Sequence, residues 1–506
     1  MARVAGSDRR SYVLALALVL AFAFVIRVAA WYAMPNIVWP DEIYQSMEQA
    51  HRVVFGYGIT PWEFRDGTRS WMLPGVLAGV MKLASTVSSS AFAYLVACAS
   101  FLSAISLAPV WAAFKLGHRE AGVRGAIVAG CAVAVWFELV YFAPKALSEV
   151  VAGNLLAVGA VLGVMCSWSD TPPTRRRTIA IAFTLALAAM LRIQLSIAAF
   201  AVFVLVVRKL PKRLLWTAIA TGAAVVVFAG LLDWVTWSYP FQSYVENVRV
   251  NIVEDKSSSY GVATWWAYFG IYANIWGLWA APILMLALAG ARRAPLLALC
   301  VGLVLLTHIP IAHKEYRFAY PAVLLVIMLA GLGTAAVVKW IEEQRGARTA
   351  TLAVAGLVTL WFAGSLVGAG GFHAEKTQVA IVWKTEQDHW SRRRGGLVAM
   401  SHIAKHAEVC GLGLAGIGWG DTGGYTYLHR NIPIFPFLNQ EMLWKHVRHF
   451  NVMFMTTDKP ATLGPFVRDT CWDDLCMYVR EGPCIPLEGF DINEVIKVGD
   501  QRWTNR

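Results

Sequence analysis

The sequence predicts an all-α polytopic membrane protein with a small α/β domain at its C-terminal end. Three observations predict it. Of 506 residues, 58% are hydrophobic and only 15% are charged, against about 25% charged in a typical soluble domain. Apolar runs of about 20 residues, the length that crosses a hydrocarbon core as helix, recur along most of the chain. The basic residues collect in short loops between those runs, as the positive-inside rule requires. The net charge of +12 is therefore no nucleic-acid patch. It is spread over loops rather than gathered on one face.

The spans follow in order. With the polar, arginine-bearing N-terminus placed in the cytoplasm, the first runs over 11–33. It is too long for a signal-peptide core and reads as an uncleaved helix. The others run over 91–115, 125–141, 150–168, 178–191, 195–208, 214–235, 266–290, 295–311, 321–340 and 349–370, eleven in all. The segment 71–87 is expected to lie along the membrane. His118, Arg119 and Arg124, Arg175 to Arg177, Arg208 to Arg213, Arg292 and Arg293, and Arg345 and Arg348 then fall on the cytoplasmic side. A crossing by 71–87 would invert every later loop and break that agreement. The expected organisation is a transmembrane module over 1–370, with a first outer loop over 34–90, and an outer domain over 371–506.

The last segment differs in character. Short apolar runs such as 452–455 alternate with turn residues, which predicts a small α/β domain. Its glycines (Gly413, Gly416, Gly418, Gly420, Gly423, Gly424) carry neither a Walker lysine nor dinucleotide spacing, so they read as tight turns. Cys98, Cys131, Cys166 and Cys300 fall in spans and read as small apolar residues. Cys410, Cys471, Cys476 and Cys484 fall in the outer domain and predict up to two disulfides, in any of three pairings. Without a Cys-x-x-Cys pair, zinc is the weaker reading.

The outer loops carry the chemistry. Trp39-Pro40-Asp41-Glu42 sets two carboxylates just past the first span, where desolvation is costly. Glu63 and Arg69 follow in the same loop. The loop 236–262 holds Tyr244, Asn247, Asn251, Glu254 and Tyr260. A third loop reads His313-Lys314-Glu315-Tyr316-Arg317-Phe318, and Arg192 falls on the same side. Carboxylates and cations on one membrane face suit group transfer from a lipid phosphate. Cations hold the phosphate by charge-assisted hydrogen bonds, and a carboxylate takes the proton of an acceptor hydroxyl. The plain alternatives are a solvated acidic loop, cations snorkelling at helix ends, and an aromatic belt for Trp62, Trp265 and Trp266.

Three ordered stretches resemble one family. Pro40-Asp41-Glu42-x-Tyr44-Gln45-Ser46-x-Glu48, with His51, Phe55-Gly56-Tyr57-Gly58, Trp62-Glu63-Phe64 and Arg69-Ser70, is similar to the first lumenal loop of the endoplasmic-reticulum mannosyltransferases that use dolichyl-phosphate mannose. The likeness is greatest to the GPI-anchor mannosyltransferase III branch. The stretch 313–321 resembles that family's His-Lys-Glu-x-Arg-Phe loop, and Tyr244, Asn247, Asn251 and Tyr260-Gly261 resemble its middle loop. The tail 371–506 matches less well. The resemblance implies the GT-C fold and an inverting transfer, with Asp41 as base and Glu42 beside it. Lys314 and Arg317 would bind the donor phosphate, with His313 and Arg192 beside them. Trp62, Glu63, Arg69, Asn251 and Tyr260 would contact substrate. Two departures stand out: Trp39 replaces a histidine, and Phe64 replaces a tryptophan.

These readings predict an integral-membrane glycosyltransferase with its active site on the extracytoplasmic face. It would move mannose from a polyprenyl or dolichyl phosphate to a hydroxyl of a glycan or glycolipid. No cofactor is required, and a divalent metal, for which Asp41, Glu42 and Glu254 are the candidates, is not predicted. The Ala-, Val- and Arg-rich composition leans towards a bacterial relative, in the inner membrane with a periplasmic active site; a eukaryotic one would face the lumen. The rivals are a same-fold transferase of another lipid-linked sugar, such as an arabinose derivative, a transporter of lipid-linked sugar, and a membrane-anchored binding protein. A transporter would place ionisable residues at mid-membrane and show an inverted repeat. Neither is evident here.

Overall fold

The computed structural model describes residues 2–169, 172–373, 388–437 and 440–504. The start of the expected C-terminal domain, 374–387, lies outside them. Two compact units emerge. The first comprises 1–31 and 99–386, and the second comprises 32–98 and 387–506. The last long apolar helix ends at Gly370. The packing unit that holds the tail also takes in the first polar segment.

Among the described residues, six helices are long and apolar enough to cross a membrane: Arg9–Ala33, Ala91–Val135, Ser148–Ser167, Lys212–Thr236, Ala267–Ala291 and Tyr316–Gly370. Met72–Ser85, Ile193–Val207 and Pro295–His308 are shorter apolar helices. Two of the long ones are double. Gly122 (φ 56°) breaks the first and Gly346 (φ 80°) the second, because only glycine takes such backbone angles without strain. Each of the eleven expected spans is helical along most of its length.

Small residues set the helix approaches within the first unit. A Cβ on Gly117 would stand 2.2 Å from the Gly125 carbonyl, and one on Gly333 would stand 1.9 Å from that of Leu286. Only backbones without side chains come that close, which is the usual device where lipid removes the hydrophobic drive between helices. One boundary differs from expectation. The span expected over 125–141 stops at Val135, where Trp136 leaves helical geometry (ψ 124°). The carbonyls so released are satisfied by buried Arg27, whose guanidinium donates to Ala134 O at 2.9 Å and Val133 O at 3.2 Å. A helix end in an apolar setting needs such a partner.

The second unit is built on a six-stranded sheet. β1 (Leu412–Ala415), β2 (Ile434–Phe437), β3 (Val452–Thr456), β4 (Thr462–Leu463), β5 (Phe466–Trp472) and β6 (Leu475–Val479) are ordered β2-β1-β3-β6-β5-β4. β1 runs parallel to β2 and β3, and the remaining pairs are antiparallel. Alternate residues face opposite sides of a strand, and both sides are covered. Leu412, Leu414, Val452 and Phe454 pack with Ile37, Ile43, Tyr44 and Ile59 of the first polar segment. Met453, Met455, Phe466 and Tyr478 form the other core. The α/β expectation holds, and so does that of disulfides. Cys410 pairs with Cys484 across 74 residues, and Cys471 with Cys476 across the β5–β6 hairpin.

Candidate active site

In the second unit, the acidic pair opens a tight turn. Ile43 N and Tyr44 N both donate to Pro40 O, at 3.0 and 2.9 Å, and start the irregular helix Ile43–Met47. Asp41 is half-buried and Glu42 buried. The C-terminal domain braces this turn. Tyr44 Oη donates to Thr422 O at 2.9 Å, and Arg393 donates to Val38 O at 3.1 Å while pairing with Asp421. Trp39 packs edge-on against His389 at 5.6 Å. Trp62 begins the short helix Trp62–Arg65. Glu63 accepts from Gln45 Nε2 at 2.7 Å, and Phe64 packs edge-on against Trp71. Arg69 is half-buried in the same segment.

Glu48 is fully buried and accepts four hydrogen bonds from Ile59 N, Tyr425 N, Thr426 N and Thr426 Oγ1, at 2.6 to 3.1 Å. Burial pushes its pKa up, and those hydrogen bonds oppose the rise. Gly424 (φ +56°) makes this possible, since a Cβ there would meet Glu48 Oε2 at 2.9 Å. The glycine run thus provides turns, as its spacing indicates, and also lets one carboxylate come close.

In the first unit, the loop 313–318 forms a charged cluster. Arg317 donates to Glu149 Oε1 at 3.0 Å and to Glu315 Oε2 at 2.5 Å. Arg192 lies 3.8 Å from Glu149 Oε2. Both guanidiniums lie against the Phe318 ring, that of Arg192 at 5.1 Å and that of Arg317 at 4.9 Å from its centre. His313 Nδ1 donates to Gly261 O at 2.9 Å, and its Nε2 faces Glu315 Oε1 at 3.1 Å. Burial alone would lower the His313 pKa, but Glu315 and the Gly261 carbonyl raise it above its ordinary value. Burial would raise Glu315, but Arg317 and His313 overcome this and hold it at about 2. Lys314 donates to the carbonyls of Ile309 and Ile311, which end the preceding helix, and its Nζ lies 5.9 Å from the Tyr268 ring centre. Burial lowers its pKa.

Among the described residues, Arg192, Lys314 and Arg317 thus gather with Glu149 and Glu315, and His313 joins them. Cations grouped in this way can hold an anion through charge-assisted hydrogen bonds. Two stretches singled out separately in the sequence meet here, since Tyr260 lies 6.1 Å from the His313 ring. Asn251 lies further back in the middle loop, its carbonyl accepting from Ser257 Oγ at 2.9 Å. Tyr244 donates to Met190 O at 2.6 Å. Sequence reasoning missed Glu149 as the partner of both arginines. Its signal is a lone carboxylate opening an otherwise apolar helix. Among the described residues, no three His, Cys, Asp or Glu side chains gather as a metal site, and Glu254 is paired with Arg249.

The model of the Alg9-like mannosyltransferase family matches residues 17–388. The chain belongs to this family. Among curated relatives, GPI alpha-1,2-mannosyltransferase 3 of Xenopus laevis is 24% identical over 317 residues, 61% of this chain and 58% of that protein. GPI mannosyltransferase 3 of Yarrowia lipolytica is 25% identical over 333 residues, 62% of this chain and 61% of that protein. Mannosyltransferase APTG1 of Arabidopsis thaliana is 25% identical over 338 residues, 64% of this chain and 58% of that protein. The match therefore spans less than two thirds of each relative. Among solved structures, ArnT from Cupriavidus metallidurans bound to undecaprenyl phosphate aligns with a TM-score of 0.59 at 12% identity, over 93% of this chain and 99% of that one. The family member described here is an integral membrane protein with the GT-C fold.

Proposed function

We propose that this chain is an inverting mannosyltransferase that moves mannose from a polyprenyl phosphate to a hydroxyl of a glycan or glycolipid. The observation that carries this reading is the gathering of Arg192, Lys314, Arg317 and His313 in one buried cluster, built on the loop that resembles the family's donor-phosphate motif. The names of the curated relatives support mannose, and the lipid phosphate bound to ArnT supports the carrier.

In this reading, Asp41 takes the proton of the acceptor hydroxyl, whose oxygen attacks the anomeric carbon. The bond from that carbon to the phosphate oxygen breaks, and polyprenyl phosphate leaves. Arg317, Arg192, Lys314 and His313 stabilise the charge gathering on the phosphate, so neither a general acid nor a divalent cation is demanded. Glu42 adjoins the base in the chain, and Trp62, Glu63, Arg69, Asn251 and Tyr260 contact substrate. The charge bias of the loops and the two disulfides support a reaction on the extracytoplasmic face.

The test is transfer of radiolabelled mannose from polyprenyl-phosphate mannose into lipid and glycan fractions of membranes that contain the protein. Label appearing only with the protein supports the reading and identifies the acceptor. Transfer of a different hexose from the same carrier would keep the reaction and change the sugar. No transfer from any carrier-linked hexose would overturn it.

A further inference from the structure

The first unit buries a second polar group beside the charged loop, and the reaction above does not use it. Glu138 is 0% exposed. Its Oε2 accepts from the indole nitrogens of Trp136 at 2.5 Å and Trp276 at 2.8 Å. Its Oε1 is buried and accepts nothing, and the buried hydroxyls of Tyr268, Tyr272 and Tyr316 are also without hydrogen-bond partners. The group is contiguous. The Tyr272 ring lies 5.6 Å from Trp276 and 5.5 Å from Tyr316. Tyr268 lies against Lys314, and Tyr316 precedes Arg317 in the chain.

Buried polar atoms are nearly always paired, so several orphans in one place point to a ligand. Their chemistry narrows the choice. A carboxylate oxygen only accepts, and phenol hydroxyls both donate and accept. A carboxylate repels phosphate, which excludes an anion from this group. Hydroxyls of a sugar both donate and accept, and aromatic walls suit the C–H face of its ring. The cations beside the group are those assigned to the donor phosphate, to which the donor sugar is bonded.

We propose that Glu138, Tyr268, Tyr272 and Tyr316 form the subsite that reads the hydroxyls of the donor hexose. This rests on the lipid-phosphate donor proposed above. The paired indoles fix one carboxylate oxygen, so the other is held ready for a sugar hydroxyl without a rotamer change.

The test compares equilibrium binding of two probes, short-chain polyprenyl-phosphate mannose and bare polyprenyl phosphate, to wild type, Glu138→Gln and Tyr272→Phe. Gln keeps an acceptor for the indoles, and Phe keeps the ring contacts. The mannosyl probe should weaken about tenfold in Glu138→Gln and about fivefold in Tyr272→Phe, with the bare phosphate changed by less than about twofold. Equal losses on both probes would assign the group a structural role and overturn the proposal, as would no loss on either. Should Glu138→Gln fail to fold, Tyr272→Phe and Tyr316→Phe carry the comparison. Mannosyl transfer by the same wild-type preparation separates the two claims. Transfer with unchanged mannosyl-probe binding in the variants overturns the subsite alone. Absence of transfer, with both probes binding wild type alike, overturns subsite and reaction together.

Discussion

Glu48 of the second unit and Glu149 of the first are both buried carboxylates, at 0% and 1% exposure, yet their partners differ in kind. Glu48 is satisfied by three backbone N–H groups and one hydroxyl of its own unit. It joins the first polar segment to the helix Gly424–Leu428. Glu149 is held by Arg317, with Arg192 near its other oxygen. A buried charge met by backbone donors holds a fold together. A buried carboxylate met by arginines brings cations together in one place, and removing one partner strands the other. The same residue type therefore reads as structural in one unit and, in the proposed function, as part of a binding site in the other.

The largest expected effect falls on the second kind. Arg317→Gln leaves Glu149 and Glu315 without their main counter-charge and should cost about 3–5 kcal/mol. Thermal unfolding in detergent, with and without polyprenyl phosphate, measures it, and wild-type stabilisation by the phosphate should vanish in the variant. Cys410→Ser is next. It reopens a loop of 74 residues and should cost about 4 kcal/mol, whereas Cys471→Ser, across five residues, should cost about 2. Proteolysis of the second unit can rank them, and the reverse order would contradict the loop-length account. Glu48→Gln sets an amide N–H against donors that now face a carboxylate. It should loosen the second unit by about 2–3 kcal/mol and leave phosphate binding intact. Loss of that binding would erase the contrast between the two carboxylates.

The smallest effect is on pH. His313 has a raised pKa, so its favourable charge is present below its ordinary value of about 6.5 and is lost as pH rises through the raised value. Glu315, held at about 2, keeps its charge throughout the neutral range. Its contribution is lost only as pH falls from below about 4.5 towards that value. Phosphate binding should weaken a few-fold on the alkaline side, and His313→Gln should flatten that limb. An unchanged limb in the variant would assign the titration to another group.

The sequence announces one unit more openly than the other. Apolar runs and basic loops report on the membrane through local composition, so the spans and the loop 313–318 can be read directly. Gly261 and His313 meet through contacts remote in sequence, yet each stretch is recognisable because its residue types are unusual beside an apolar span. Glu149, Glu138 and Arg27 are harder to read. Each is a single ionisable residue in apolar surroundings, and its meaning lies in a partner more than a hundred residues away. The association of 32–98 with the C-terminal sheet is hidden for the same reason. Ile37, Ile43 and Ile59 look like scattered loop hydrophobics until β1 and β3 supply their neighbours.

The central claim, lipid-phosphate mannosyl transfer with Asp41 as base, is tested most directly by comparing Asp41→Asn with wild type at equal expression. Mannose transfer and polyprenyl-phosphate binding are measured on the same membranes. A positioned general base is worth about 10²–10⁴ in rate. The account predicts a fall in transfer of at least about a hundredfold with phosphate binding unchanged. Transfer at the wild-type rate by Asp41→Asn would contradict it.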